Sequence, residues 1–139
     1  MYIDTSVAVK LYVADSDSAE CESIVADMPL ISSRLLYCEF RSALRAKFAR
    51  HAISERAMDE VWGRFQEDIA DRQIQFIPLG NYILEEAVGL LNALPPRFAL
   101  RTLDAVHLAS YRAIEVATFF TRDVRMREAA AYLGYALAG

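Results

Sequence analysis

The sequence predicts a three-layer α/β/α domain: a central parallel β-sheet with helices on both faces and an inserted helical pair after the second strand. Short apolar segments alternate with longer stretches whose apolar residues recur every three or four positions. No tight hairpin turn joins one strand to the next, so the strands run parallel, and a parallel sheet is covered on both faces. The third observation is size. With 139 residues, 55% of them apolar and 24% charged, residues 1–139 make one domain without an internal repeat or linker. Folding at this length buries roughly two-thirds of the unfolded surface, so no disulfide or metal staple is needed.

Each element has its own signal. Met1–Ile3 is a short apolar strand, and Asp4-Thr5-Ser6 reads as its exit into a helix N-cap, with helix from Val7 to Tyr12. The polar stretch Asp15–Ser18 interrupts it. Ser16 or Ser18 is expected to cap a second helix, in which Cys21, Ile24, Val25 and Met28 share a face until Pro29. Leu30 and Ile31 form a buried strand, followed by capping serines Ser32 and Ser33. From Leu35 to about Arg50, Leu36, Phe40, Leu44 and Phe48 form an i+4 stripe. Ser54 caps the next helix, whose inner face is Met58, Val61, Trp62, Phe65 and Ile69, with Ile53 as a staple. Ile74–Ile77 is a strand ended by Pro78. Asn81 is expected to cap a helix carrying Leu84, Val88 and Leu91, closed by Pro95-Pro96. Thr102 is expected to cap a helix to about Ile114. Ala117–Phe120 is a strand with Thr121-Arg122-Asp123 at its exit, Val124–Leu133 a helix, and Tyr135–Leu137 a last strand after Gly134.

Composition excludes several classes. Five glycines and four prolines rule out fibrous or low-complexity chains, and no apolar run approaches the ~20 residues that span a bilayer. The opening Met-Tyr-Ile-Asp lacks the basic and apolar regions of a secretory signal. Two cysteines, Cys21 and Cys38, both in apolar helical patterns, read as buried structural thiols in a reducing cytoplasm. A net charge of −4 argues against a broad electrostatic grip on nucleic acid, but not against a small acidic site that recruits a metal ion.

Four acids fit such a site. Asp4 and Asp123 follow strands and belong at the carboxyl ends of the sheet, where open α/β folds gather their chemistry. Glu39 lies about a turn into its helix, and Asp104 lies in the first turn of another. Capping is the plainer account of Asp4 or Asp123 alone. It does not explain Glu39, between Cys38 and Phe40, or Asp104 within Thr-Leu-Asp-Ala-Val-His. Converging carboxylates repel and call for a cation, and oxygen ligands select Mg²⁺ or Mn²⁺. Such an ion polarises a phosphodiester and activates water, so no catalytic histidine is required. His51 sits in a polar link; His107, three residues after Asp104, reads as a packed structural histidine first, or as a ligand or the residue that orients Asp104. There is no glycine-rich phosphate loop and no nucleophile elbow.

The pieces Tyr2–Ser6 with Val-Lys-Leu-Tyr after it, Glu39–Leu44, Arg101–Ala109 and Phe119–Asp123 resemble, in order, the motifs of PIN-domain ribonucleases, and within them the VapC toxins of toxin–antitoxin pairs. The resemblance spans nearly the whole chain. It implies a PIN-like fold, Mg²⁺ or Mn²⁺ dependence and endonucleolytic cleavage of RNA. It implies that Asp4, Glu39, Asp104 and Asp123 are the catalytic, metal-binding acids, with Ser6 and Thr121 as polar neighbours that orient the site. It further implies a homodimer silenced by a cognate VapB-type antitoxin, in the cytoplasm and away from membranes. Among the basic residues flanking the acids, Arg41 and Arg101 are expected to hold RNA phosphates. The alternatives are a PIN nuclease of RNA maturation or DNA processing, and an idle PIN-like binding module; the second is disfavoured because Asp4, Glu39 and Asp104 are all kept.

Overall fold

The computed structural model describes residues 1–114, 116 and 118–139. Along the chain run β1 (Tyr2–Ile3), α1 (Thr5–Tyr12), α2 (Ser18–Val25), β2 (Leu30–Ser33), α3 (Leu35–Ala49), α4 (Glu55–Ala70), β3 (Ile74–Ile77), α5 (Asn81–Ala93), a 3-10 turn (Pro96–Phe98), α6 (Thr102–Arg112), β4 (Phe119–Phe120) and α7 (Val124–Tyr132). The four strands form one parallel sheet in the order β3-β2-β1-β4. Tyr2 pairs with Ile31 on one side and Phe119 on the other, and Ile3 pairs with Phe120.

Two-residue alternation divides the interior. Successive strand side chains point to opposite faces, so Tyr2 and Phe119 enter one core, with Ile83, Ala87 and Leu90 of α5, Val106 and Leu108 of α6, and Met126 of α7. Ile3 and Phe120 enter the other, with Val7 of α1, Leu36, Phe40 and Leu44 of α3, and Val61 and Phe65 of α4. The sheet therefore lies between α1–α4 and α5–α7, and the inserted pair α3–α4 closes its side through Phe40 and Phe65, stacked at 4.0 Å.

Several local expectations give way. Asp17, not a serine, occupies the N-cap of α2; Gly80 and Arg101 take the caps expected of Asn81 and Thr102, which become first helical residues. Ser33 Oγ does accept the Leu35 N–H, at 3.3 Å, whereas Ser32 Oγ turns inward and donates to the Ile3 carbonyl at 2.7 Å. On α5 the stripe Leu84, Val88 and Leu91 is the exposed face, and the buried one is Ile83, Ala87 and Leu90. Both sets have helical spacing, so periodicity cannot choose between adjacent apolar stripes. Phe48 ends its stripe exposed, and Cys38 is exposed rather than buried. Ala117, the expected start of the fourth strand, lies outside the described residues. The final strand reduces to a single parallel bridge between Leu137 and Phe119. Gly134 adopts φ 76°, the left-handed conformation expected just past α7.

Candidate active site

Asp4 leaves β1 and caps α1. Its Oδ1 accepts the Val7 N–H at 3.1 Å and the Ser6 hydroxyl at 2.7 Å, and its Oδ2 accepts the Thr121 hydroxyl at 2.7 Å. The residue is 2% exposed. Burial pushes its carboxyl above the ordinary carboxylate range, against the opposing pull of His107 and the three donors.

The loop after β4 is stitched to this point. Thr121 Oγ1 accepts the Asp123 N–H at 3.0 Å while donating to Asp4, and Ser6 Oγ accepts the Arg122 N–H at 2.8 Å. Ser6 and Thr121 thus lie beside Asp4. Asp123 caps α7, its Oδ1 accepting the N–H groups of Arg125 and Met126 at 2.9 and 3.0 Å. Both capping carboxylates therefore do the structural work that composition alone suggested, and both belong to one loop junction.

Glu39, on the fifth residue of α3, is held through Oε2. That oxygen accepts the Thr5 hydroxyl at 2.5 Å and His107 Nε2–H at 2.7 Å. Burial raises its carboxyl, but the His107 bond and charge together with Thr5 bring it below the ordinary value. His107 is buried on α6, and its Nδ1 lies 2.8 Å from the Tyr2 hydroxyl, which also accepts the Ser33 N–H at 3.2 Å. The histidine therefore fastens Glu39 and not Asp104. A spacing of three along α6 suggested Asp104, but the contact that forms is 68 residues distant in sequence.

Asp104, half-buried in the first turn of α6, accepts the Arg101 N–H through Oδ2 at 3.0 Å. Burial raises its carboxyl; the Arg101 N–H opposes this, and the negative charge of Asp123 adds to it. The structure thus joins Asp4 to Asp123 through Thr121, brings Asp104 within the field of Asp123, and ties Glu39 to Thr5, the neighbour of Asp4. Among the described residues no group of three or more His, Cys, Asp or Glu side chains is placed to hold a metal ion as it stands.

A count of lone pairs tests whether these residues suit a cation. A carboxylate has about four acceptor positions. Among the described residues, hydrogen bonds occupy three on Asp4, and leave Glu39 Oε1, Asp104 Oδ1 and Asp123 Oδ2 unbonded. Each of the four keeps acceptor capacity beyond its hydrogen bonds, with the Arg125 guanidinium 3.9 Å from Asp123 Oδ2, in an all-oxygen set suited to a hard divalent ion. The donor chemistry fits.

The basic residues divide. The Arg41 guanidinium sits 3.3 Å from Asp59 and lies over the Trp62 ring at 5.5 Å, while Arg101 is exposed. Arg122 is a structural clamp, bonded to Asp17 at 3.3 Å and Glu20 at 2.7 Å. Sequence reasoning passed over Thr5 and Tyr2. The available signals were a hydroxyl next to a candidate acid, and a tyrosine in a two-residue apolar strand, where a buried hydroxyl demands a partner.

A family model described as the PIN domain matches residues 1–132. The chain belongs to the PIN domain family. Ribonuclease VapC46 of Mycobacterium tuberculosis (strain ATCC 25618 / H37Rv) is 32% identical over 142 residues, a match covering 99% of this chain and 95% of that one. The crystal structure of Mycobacterium tuberculosis VapC20, described as a sarcin-ricin loop cleaving toxin, superposes with a TM-score of 0.72 over 97% of this chain and 95% of that one. At 16% identity the second likeness bears on the fold alone. The parallel sheet between helical layers, with its inserted pair, is a PIN fold. No helix among the described residues is long and apolar enough to cross a membrane.

Proposed function

We propose that this PIN-domain chain is an endoribonuclease toxin of the VapC type, hydrolysing RNA phosphodiester bonds at the acids Asp4, Glu39, Asp104 and Asp123. The observation that carries the reading is the junction of β1, β4, α3 and α6, where the buried Asp4 is held through both oxygens and Glu39, Asp104 and Asp123 each keep one oxygen without a hydrogen bond. The similarity to Ribonuclease VapC46 along 99% of the chain supports the same class of substrate.

These residues would hold a divalent cation, Mg²⁺ or Mn²⁺. Once bound, such an ion supplies positive charge against the reacting phosphate and acidifies the attacking water. The chain's own contribution is placement. Ser6, Val7 and Thr121 fix both oxygens of Asp4, Thr5 and His107 fix Glu39, and the N-terminus of α7 fixes Asp123. Arg101, exposed beside Asp104, and Arg41, on the helix of Glu39, contact phosphates of the bound RNA. A VapB-type antitoxin, a homodimer and the cytoplasm complete the proposal, with residues 1–139 acting as one PIN unit.

The test is cleavage of a mixed structured-RNA pool by wild type and Asp104→Asn, with Mg²⁺, Mn²⁺ or EDTA. Metal-dependent cutting that falls on the order of 100-fold or more in the variant is expected. No cutting by folded wild type with either ion overturns the assignment and favours the binding module.

A further inference from the structure

A polar chain crosses the interior from β2 to the site: Ser33 N–H to the Tyr2 hydroxyl at 3.2 Å, Tyr2 to His107 Nδ1 at 2.8 Å, and His107 Nε2 to Glu39 Oε2 at 2.7 Å. Tyr2 is fully buried and His107 is 1% exposed, so no water competes for the bond between them. Its direction follows from the groups themselves. A carboxylate has no proton to give, so Nε2 carries one and donates to Glu39. The Tyr2 oxygen accepts from Ser33, and its own proton is free to go to Nδ1. Whenever the ring is neutral, it is thereby fixed in the Nε2–H form, since the tautomer of a histidine is set by the bond at its other nitrogen.

We propose that Tyr2 and His107 are positioning residues for the nuclease reaction: the tyrosine sets the imidazole tautomer, and the imidazole locks Glu39 through Oε2 so that Oε1 is the oxygen presented to a divalent cation. The inference rests on the nuclease reading above. It assigns a purpose to a tyrosine hydroxyl that strand packing does not need, since phenylalanine has the same shape. Without that hydroxyl the ring can adopt the Nδ1–H form, and Nε2 then turns a lone pair toward an anionic oxygen. Glu39 is left to Thr5 alone. Partners of this kind, one step removed from a metal ligand, typically matter 10–100-fold in metal affinity or activity.

The experiment compares wild type with Tyr2→Phe, His107→Gln and His107→Leu. Glutamine keeps a donor near the Nε2 position, and leucine does not. Three quantities are read: the ¹⁵N NMR pattern of the His107 ring without metal, Mn²⁺ affinity from the loss of free-ion EPR signal, and kcat and KM for RNA. Thermal unfolding checks that each variant is folded, and Tyr2→Phe, which removes a single oxygen, decides if His107→Leu folds poorly. The expected result is an Nε2–H ring in wild type and its loss in Tyr2→Phe. Mn²⁺ affinity and kcat should both fall about tenfold or more in Tyr2→Phe and His107→Leu, with KM unchanged and His107→Gln restoring most of the loss. An Nδ1–H ring in wild type overturns the proposal, as do folded Tyr2→Phe and His107→Leu proteins with wild-type affinity and kcat. Equal impairment in His107→Gln and His107→Leu also overturns it. If folded wild type itself neither binds Mn²⁺ nor cuts RNA, the nuclease reading fails and takes this inference with it, an outcome visible before any variant is compared.

Discussion

Thr121 holds two roles on one oxygen, donating to the buried Asp4 carboxylate and accepting the Asp123 N–H. Replacing it with valine preserves the shape and removes both bonds. Asp4 then has an oxygen that is buried and short of a donor, which costs about 1–3 kcal/mol. We expect Thr121→Val to unfold at lower urea with an unchanged slope, and to lose cleavage beyond what stability explains; an unaltered midpoint would show that solvent reaches Asp4. Legibility is uneven at this scale. The four acids stand out because carboxylates are conspicuous in apolar segments. Thr5, Tyr2 and the true partner of His107 do not, because their meaning depends on contacts across 34, 105 and 68 residues. Local spacing gives His107 a neighbour in Asp104, and tertiary packing gives it another in Glu39. Cys38 fails in the opposite way: flanking apolar residues suggest burial, but its own position on α3 turns outward.

Helix α5 shows how an element can be right in extent and wrong in orientation. Its residues 81–93 carry two apolar stripes, and only the sheet decides which one is buried. Leu90, 2% exposed, sits in the core with Ile83 and Ala87, while Val88 is 56% exposed. Leu90→Ala should therefore destabilise the protein by about 2–5 kcal/mol through transfer and cavity terms. Val88→Ala should stay within about 0.5 kcal/mol. Urea unfolding of the two variants distinguishes the faces, and a reversed ranking contradicts the packing described. Elements with one apolar stripe were legible in both respects. In α4, Met58, Val61 and Phe65 are the buried face, and Ser54 caps it by accepting the Ala57 N–H at 3.1 Å. Caps are harder to place where several candidates adjoin, as with Ser16, Asp17 and Ser18, because each side chain can accept an N–H and the backbone chooses.

At the scale of the molecule, the sheet order places β1 between β2 and β4, and ion pairs tie α1, the start of α2 and the loop after β4 together. Lys10 on α1 holds Asp17 at 2.5 Å and Asp15 at 3.4 Å, and Arg122, after β4, holds Asp17 and Glu20. The bond from Lys10 keeps the Asp17 carboxyl below its ordinary value; the Ser16 N–H and Lys10 do so for Asp15. A depressed carboxyl means that the unfolded chain binds more protons, so stability rises with pH across the window. The contribution is complete above the ordinary value of 3.8 and is lost as pH falls through the lower folded values. Lys10→Met should flatten the acid limb of stability against pH by lowering stability above the window and leaving it unchanged below, a small change because Asp15 is exposed and Asp17 only half-buried. A limb as steep as wild type's in chemical denaturation at several pH values would assign acid sensitivity elsewhere. The layered parallel sheet itself was legible, since alternating periods and missing hairpins are properties of whole segments. The five-strand count was not, because one bridge at Leu137 is too little to distinguish from a tail.

The Asp4–Thr121 bond joins positions 117 residues apart. A site closed by such a bond cannot exist in a partly synthesised chain. The ribosome releases Asp4 early, with β1 lacking its neighbour from β4, and the carboxylate waits without its hydroxyl until the Thr121 region has emerged. A chain stopped before β4 lacks Thr121, so its Asp4 keeps only the Ser6 and Val7 donors and the junction stays open.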